Sequence, residues 1–251
     1  MSKVGQDLYF DVGGTKIELY TIEESKSVVD RVLTPKDAQS LYRALERLLS
    51  SHSKGYERWH IGLPGPVRTR PVTAVTLPPL GYSVDLLTIR AMGFDNICND
   101  MELHGLMLLK TMPSDVFEAN NHIILTFGTS LGVAVFHEFS PVSLEIAHFE
   151  VSAVSSSFVA TGAKLRDVLA ASSFIGLDEM ECHRRVTLIK ALIIYISQLF
   201  GFAKVMVHVG GGLFKTDFWA QMYELLSKET QGIGERNSTG GLQIQVQRFR
   251  E

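Results

Sequence analysis

Apolar residues near the N-terminus form two short runs on either side of a glycine pair. The runs cover residues 8–12 and 15–22, and Gly13 and Gly14 lie between them. Runs rich in β-branched and aromatic residues around a short glycine turn are typical of a β-hairpin. We therefore predict a strand, a tight turn and a second strand, with Asp11 as the one charge inside the first strand.

The next segment has apolar residues at helical spacing, and patterns typical of strands and helices alternate after it. Thr34, Pro35 and Asp37 supply a helix start, and the leucines after them recur at the period of a helix of about four turns. The further predicted elements are a strand over 59–63, a loop over 77–81, a short helix over 84–92, a short strand before Asn99 and a helix after Asp100.

The second half of the chain repeats the opening pattern. Strands are predicted over 122–127 and 131–136 around a second glycine turn, which is consistent with two halves of similar fold, although one repeat can arise by chance. The rest predicts a serine-rich loop over 152–157, helices over 163–171, 185–200 and 216–227, and strands over 205–209 and 242–249. This order predicts the α/β class.

Composition narrows the possible functions. The chain has 251 residues, is 45% hydrophobic and has a formal net charge of −3, which suits one large domain or two small ones. Because the basic residues form no dense run, we expect no nucleic-acid partner. Cys98 and Cys182 form no paired motif, no secretory signal is visible, and the apolar segment 188–203 is too short to span a bilayer. We expect a cytoplasmic protein with no membrane partner.

Three glycine-containing segments are candidate sites for phosphate groups or for the close approach of a flat or phosphorylated ligand. They are Gly13, Gly14, Thr15 and Lys16 in the first turn, Gly128, Thr129 and Ser130 in the second, and Gly210, Gly211 and Gly212 after a later strand. Bare backbone N–H groups in such turns bind phosphate oxygens or allow a ligand to approach closely, and the Asp11 carboxylate can hold magnesium directly or through water. Ordinary hairpins and a tight strand-to-helix connection are the structural alternatives.

Two further pairs carry candidate chemistry. Asp100 follows Asn99 at the end of a predicted strand, where it could accept a proton from a substrate hydroxyl or simply cap the next helix. Glu145 and His148 are spaced to share a ligand such as a sugar hydroxyl, or to form an ordinary surface pair. We assign structural roles to six histidines that lack a comparable partner in the sequence, namely His52, His60, His104, His122, His137 and His183.

Taken in order, the motifs resemble those of the ROK family (repressors, open reading frames, kinases) within the actin-like ATPase and sugar-kinase superfamily. The matching segments are DVGGTK at 11–16, GLPGPV at 62–67, ND at 99–100, TFGTSLG at 126–132, EIAH at 145–148 and VGGGL at 209–213. Agreement in order and spacing across nearly the whole chain is far more specific than any single motif.

The resemblance implies an α/β protein of two ribonuclease-H-like domains with a cleft between them, a sugar-kinase domain at 1–112 and a nucleotide-binding domain at 113–251. It implies transfer of the ATP γ-phosphate to a hexose hydroxyl, usually the 6-hydroxyl, with Asp100 as the base. Asn99, Glu145, His148 and Gly65 would bind the sugar. Asp11 would organise magnesium, the first two glycine turns would hold phosphates, and residues 210–212 would border the adenosine.

Several positions depart from the family pattern. Ala147 replaces a glycine, a change that we expect to be tolerated, and the segment 150–163 lacks the family's zinc-binding cysteines, with Ser155 near one ligand position. No zinc is therefore expected, and His148 would be free to serve only the sugar. Ser157 stands where an acid usually contacts the sugar, and residues 77–82 lack a usual asparagine, so the sugar preference is open.

The sequence leaves three hypotheses. The first is an ATP- and magnesium-dependent kinase of glucose or an N-acetylhexosamine such as N-acetylmannosamine. The second is a non-catalytic sugar sensor that acts on a protein partner, since only ten residues precede Asp11 and no DNA-binding module is expected there. The third is a nucleotide hydrolase of the same fold that needs no sugar. The sequence leaves open whether the chain forms a homodimer.

Overall fold

The computed structural model describes residues 6–22, 26–52, 54–67, 74–118, 121–137, 139–155, 162–211, 223–224 and 243–248. The chain divides into two compact units, Met1–Thr111 and Met112–Glu251.

The N-terminal unit is built on a five-stranded sheet. Its elements are β1 (Asp7–Val12), β2 (Lys16–Ile22), β3 (Lys26–Leu33), α1 (Ala38–His52), β4 (Arg58–Leu63), β5 (Ala74–Leu77), β6 (Tyr82–Asp85), α2 (Leu86–Ala91), β7 (Asn96–Asn99) and α3 (Asp100–Thr111). The strand order is β3-β2-β1-β4-β7, with β1, β4 and β7 parallel and β2 and β3 antiparallel. β5 and β6 form a separate antiparallel pair.

The C-terminal unit contains a second five-stranded sheet. Its elements are α4 (Ser114–Glu118), β8 (Asn121–Phe127), β9 (Leu131–His137), β10 (Ser140–Ser143), a 3₁₀ segment (Glu145–His148), α5 (Val151–Val154), α6 (Leu165–Val168), a second 3₁₀ segment (Ala171–Phe174), α7 (Glu179–Phe200), β11 (Lys204–Gly210) and β12 (Gln243–Arg248). The strand order is β10-β9-β8-β11-β12, with β8, β11 and β12 parallel. β8, β9 and β10 are antiparallel neighbours.

The two sheets have the same topology. In each, a hairpin and a third antiparallel strand form one side, and two parallel strands complete the other side. The repeat predicted from the two glycine hairpins is therefore a repeat of the whole sheet. The structure confirms a mixed α/β protein, whereas the cleft between the two halves stays a prediction.

The two faces of the N-terminal sheet differ in polarity, because successive side chains of a strand point to opposite faces. Leu8, Phe10 and Val12 of β1 join an apolar core with the buried leucines of α1. The other face of β1 presents Asp7, Tyr9 and Asp11, and α3 packs on β1 and β4. The face of the sheet that carries these polar side chains is thus the one that α3 covers.

The second core surrounds α7. This helix begins after Asp178, whose side chain accepts a hydrogen bond from the Glu181 N–H at 2.7 Å, and it ends at Gly201 with φ +69°. Its buried residues pack with the strands β8, β9 and β11. The helix predicted at 185–200 is confirmed and starts earlier, at Glu179.

Some predicted elements are wrong in detail. The loop expected at 152–157 begins inside the helical turn α5, and the helix expected at 163–171 is split into α6 and a 3₁₀ segment. The split has a local cause: the Ser173 hydroxyl lies 2.6 Å from the carbonyl oxygens of both Val168 and Ala170, so a side chain competes with the helical ladder. The helix predicted at 216–227 lies outside the described residues, except for 223–224, which are helical.

Candidate functional site

The N-terminal candidate residues meet at one edge of the first sheet. β1, β4 and β7 are parallel, so their carboxyl ends lie side by side. Asp11 is near the end of β1, Gly65 follows β4, and Asn99 ends β7 immediately before Asp100. The carboxyl ends of parallel strands are where α/β sheets bind their ligands. The structure therefore brings together four residues that the sequence analysis selected from three separate segments.

The first glycine turn is held in place by its neighbours. The Gly13 N–H donates to the Lys16 carbonyl at 2.9 Å, and the Thr34 hydroxyl donates to the Gly13 carbonyl at 2.7 Å. The Thr34 N–H also donates to the Thr15 carbonyl at 3.1 Å. A Cβ at Gly14 would lie 3.1 Å from the Cβ of Pro79, so the turn between β5 and β6 lies against this segment.

The charges near this turn are already paired. The Lys16 ammonium lies 2.5 Å from a carboxylate oxygen of Glu18. Asp11 has 16% of its side chain exposed, and its Oδ2 lies 3.4 Å from Nε2 of His104. Burial alone raises the pKa of the Asp11 carboxyl, but His104, Lys26 and Lys16 outweigh burial and hold this pKa below its usual value. Asp11 is therefore ionised at neutral pH.

Asp11 fits the requirement of a magnesium site. Mg²⁺ prefers carboxylate oxygens and keeps several waters, so one or two carboxylates together with substrate phosphates are enough to bind it. A nearly buried, ionised carboxylate beside a glycine turn supplies such a donor. Among the residues that the structure describes, no group of three or more His, Cys, Asp or Glu side chains could hold a metal ion alone.

Asn99 joins the ends of β4 and β7. Its Nδ2 donates to the Gly65 carbonyl at 2.8 Å, and its Oδ1 accepts from the Met101 N–H at 2.8 Å. Its own N–H donates to Oε2 of Glu102 at 3.1 Å, which is the glutamate half of a capping box. Asn99 is buried and its amide is engaged at both ends, so its first role is to fix Gly65 and the start of α3.

Asp100 is the first residue of α3 rather than the residue before the helix. The N-cap of α3 is therefore Asn99, and the alternative that Asp100 caps the helix is wrong by one residue. Oδ1 of Asp100 also accepts from the Met101 N–H, at 3.0 Å. Its carboxylate therefore lies at the N-terminal end of α3, the positive end of the helix dipole.

The C-terminal unit brings the other two glycine segments together. β8 and β11 are parallel neighbours, with Gly210 in register with Thr126. Gly211 has φ +104°, and a Cβ there would lie 2.5 Å from the Phe127 carbonyl oxygen. The turn of Gly128, Thr129 and Ser130 follows Phe127 directly and is fixed by the Ala171 N–H, which donates to the Gly128 carbonyl at 2.8 Å. Gly212 lies outside the described residues.

Glu145 and His148 occupy the 3₁₀ segment after β10. Glu145 Oε2 lies 3.9 Å from His148 Nε2, and both side chains are about half exposed. Ala147 is buried in the core, with φ outside the left-handed region, so the alanine is accommodated. The Arg166 guanidinium lies 3.3 Å from Nδ1 of His148, and the expectation that His148 serves only the sugar stays a prediction. Ser155 donates its N–H to the Val151 carbonyl, and Ser157 lies outside the described residues.

Several histidines have partners that the sequence analysis missed. His104 contacts Asp11, His52 contacts Asp30 at 2.8 Å, and His60 lies 3.5 Å from Asp7. His122 and His208 contact each other at 2.8 Å inside the second sheet. The one available signal was the spacing of His104, which lies one helical turn after Asp100 on the predicted helix.

Known structures define the class of fold. A ROK family glucokinase from Streptomyces griseus, solved with glucose and AMPPNP, matches with a TM-score of 0.64 at 17% identity, over 97% of this chain and 94% of that chain. A ROK family protein from Streptococcus pneumoniae TIGR4 in complex with sucrose gives 0.64 at 15% identity, over 97% and 93%. An inorganic polyphosphate/ATP-glucomannokinase from Arthrobacter sp. strain KM gives 0.61 at 18% identity, over 97% and 92%.

The chain therefore has the fold of the ROK-family sugar kinases, which is an actin-like ATPase fold. The resemblance drawn from the sequence motifs is confirmed at this level. No protein-family model matches the chain, and no curated protein matches it. Within the described residues, no helix is both long and apolar enough to cross a membrane.

Proposed function

We propose that the protein is an ATP- and magnesium-dependent hexose kinase that phosphorylates glucose or an N-acetylhexosamine such as N-acetylmannosamine, at the 6-hydroxyl. The observation that carries this proposal is the common strand edge that holds Asp11, the first glycine turn, Asn99 and Asp100. The fold supports it, because solved structures with this fold include a glucokinase with bound glucose and AMPPNP.

Asp100 is the proposed general base. Its carboxylate takes the proton of the sugar hydroxyl as the hydroxyl oxygen attacks the γ-phosphorus of ATP. The bond from that phosphorus to the bridging oxygen breaks, and ADP leaves with the electron pair. Asn99, Gly65, Glu145 and His148 bind the sugar hydroxyls, which places the reacting oxygen near the phosphorus.

The glycine segments and Asp11 are the proposed nucleotide residues. Backbone N–H groups of 13–16 and 128–130 hold phosphate oxygens, and residues 210–212 border the adenosine. Asp11 holds magnesium directly or through water, and the bound ion neutralises charge on the phosphates. The proposal assigns residues of both halves to one reaction, with a sugar-kinase domain at 1–112 and a nucleotide-binding domain at 113–251.

The decisive assay measures ADP release from ATP and magnesium with a panel of hexoses and without sugar. We expect release with at least one hexose and very little without sugar. Release that is independent of sugar would instead identify a nucleotide hydrolase. Sugar binding without any phosphoryl transfer would identify a sensor.

A thermal-shift screen first identifies which sugar binds. A ligand that binds only the folded state raises the midpoint of unfolding, by an amount that grows with its concentration relative to its dissociation constant. Each sugar is tested with and without a non-hydrolysable nucleotide, and glucose and N-acetylmannosamine are the first candidates. Metal analysis of the same purified protein tests the expectation that no zinc is bound.

A further inference from the structure

His104 is the side chain whose imidazole reaches the Asp11 carboxylate. Its Nε2 lies 3.4 Å from Oδ2 of Asp11, and the two side chains are 14% and 16% exposed. Asp11 belongs to β1 and His104 to α3, so the contact joins the sheet to the helix that covers it. Asp100 lies one helical turn before His104 on the same side of α3. His104 thus contacts the proposed magnesium residue and shares a side of α3 with the proposed base.

Close packing of α3 on the sheet makes this contact possible. Gly62 of β4 is the register partner of Asp11. A Cβ at Gly62 would lie 2.8 Å from the Cβ of Leu103 and 3.0 Å from the Cα of Asp100, so any larger residue would push α3 away. The glycine therefore brings the His104 ring within reach of Asp11.

We propose that His104 is a positioning residue for the magnesium–nucleotide site. It holds one oxygen of Asp11 and thereby fixes the orientation in which this carboxylate meets the metal. The inference rests on the proposed function, because it takes Asp11 as the residue that serves magnesium and ATP. Partners that orient metal-binding groups typically contribute roughly 10–100-fold to metal affinity, which sets the size of the expected effect.

The same sheet face provides a matched control. His60 on β4 has its Nε2 3.5 Å from Oδ2 of Asp7, and its ring stacks on Tyr9 with centroids 4.9 Å apart. Asp7 lies at the other end of β1 and is bound by two nitrogens of Arg58, at 2.9 and 3.0 Å. This is also a largely buried imidazole–carboxylate contact, but it lies away from the strand edge that carries the candidate site.

The experiment measures AMP-PNP binding by calorimetry, once in EDTA and once with saturating Mg²⁺. The dissociation constant in EDTA divided by the constant in Mg²⁺ reports how much the metal strengthens binding. We expect His104→Ala and His104→Leu to lower this ratio roughly 10–100-fold while the constant in EDTA stays at the wild-type value. His104→Gln, which restores an N–H donor, should recover most of the ratio, and His60→Leu, the control matched to His104→Leu, should leave it unchanged.

If His104 had only a structural role, its loss would weaken AMP-PNP binding equally in EDTA and in Mg²⁺. The ratio would then stay at the wild-type value, and this result would overturn the proposal. A loss of the ratio in His60→Leu equal to that in His104→Leu, or a wild-type protein whose AMP-PNP affinity is absent or independent of Mg²⁺, overturns it as well. The proposed kinase function fails separately, if the wild type binds the metal–nucleotide complex but phosphorylates no sugar. In that case the ratio still decides the role of His104.

Discussion

Asp100 is the residue on which the proposed chemistry depends, and Asp100→Asn removes its basicity with little change in shape. An asparagine oxygen can still accept the Met101 N–H, so the start of α3 is kept. General-base catalysis typically contributes about 10²–10⁴-fold to the rate, and we expect kcat for sugar-dependent ADP release to fall by this factor. Steady-state kinetics with ATP and the best hexose checks the prediction.

Glu102→Gln is the control for that variant. It removes a carboxylate from the same helical turn but keeps the oxygen that accepts the Asn99 N–H. We expect near wild-type kinetics for Glu102→Gln. Comparable losses in both variants would mean that the charge at the helix start matters, rather than a base at position 100.

The buried histidine pair of the second sheet makes stability depend on pH. His122 Nε2 donates to the Phe117 carbonyl at 3.0 Å, so its Nδ1 accepts the proton of His208 Nε2 at 2.8 Å. Burial, reinforced by His122, lowers the pKa of His208 to about 3, and burial also lowers the pKa of His122. Both rings are neutral in the folded state, while the unfolded chain binds protons below about pH 6.5.

Because the unfolded state binds more protons, the free energy of unfolding falls as the pH drops below about 6.5 and continues to fall toward the low pKa of His208. The expected slope is about 1.4 kcal/mol per pH unit for each histidine. Urea unfolding at several pH values between 7 and 5 measures it. His208→Gln should flatten the slope, whereas His183→Gln, on the exposed side of α7, should not. Equal slopes in all three proteins would contradict this account.

The sequence predicted many of the candidate residues but not their partners. Asp11, Gly65, Asn99 and Asp100 were identifiable, because each lies near the end of a strand signal or just after one and matches a motif. The contact of His104 with Asp11 was not, since it depends on how closely α3 packs on a sheet formed by distant segments. Local spacing carries no information about that distance.

At the level of elements, the connection after β11 depends on Gly211. Its φ of +104° and the 2.5 Å separation from the Phe127 carbonyl oxygen both exclude a side chain. Gly211→Ala should therefore destabilise the protein beyond the roughly 1–3 kcal/mol typical of left-handed strain alone. It should also disturb the turn at Gly128, and chemical denaturation together with nucleotide binding would detect both effects.

Gly201→Ala separates strain from crowding. Gly201 ends α7 with φ +69°, but a Cβ there would have no atom within 4 Å. We expect this variant to show only the cost of strain and to leave nucleotide binding unchanged. A Gly211→Ala protein as stable as Gly201→Ala would show that the backbone near Phe127 yields without difficulty.

The elements that sequence patterns missed have little apolar periodicity. β3 is an edge strand whose residues are mostly exposed or half-buried, so burial imposes no clean alternation. β5, β6 and β10 are four residues each, and β10 contains Pro141, which is tolerated at a sheet edge. The buried strands and α7 were predictable because their contacts with the core require regular apolar positions.

On the scale of the whole molecule, each unit has its own core. The cluster around α7 consists of residues from the C-terminal unit, and the clusters around α1 and α3 consist of residues from the N-terminal unit. Fragments of these lengths can bury enough apolar surface to fold alone. We expect fragments 1–111 and 112–251 each to unfold cooperatively in urea. A fragment that is unfolded in buffer, while the intact chain is folded, would contradict this expectation.

The two copies of the repeated sheet differ in charge at one matching position. In each copy a glycine of the neighbouring parallel strand, Gly62 or Gly210, faces the position just before the end of the hairpin's first strand. That position is Asp11 in one copy and Thr126 in the other. Of these two matching positions only Asp11 carries a charge, so the halves of the repeat are not interchangeable: the proposed magnesium–phosphate complex would meet a carboxylate beside the first hairpin turn and a neutral hydroxyl beside the second.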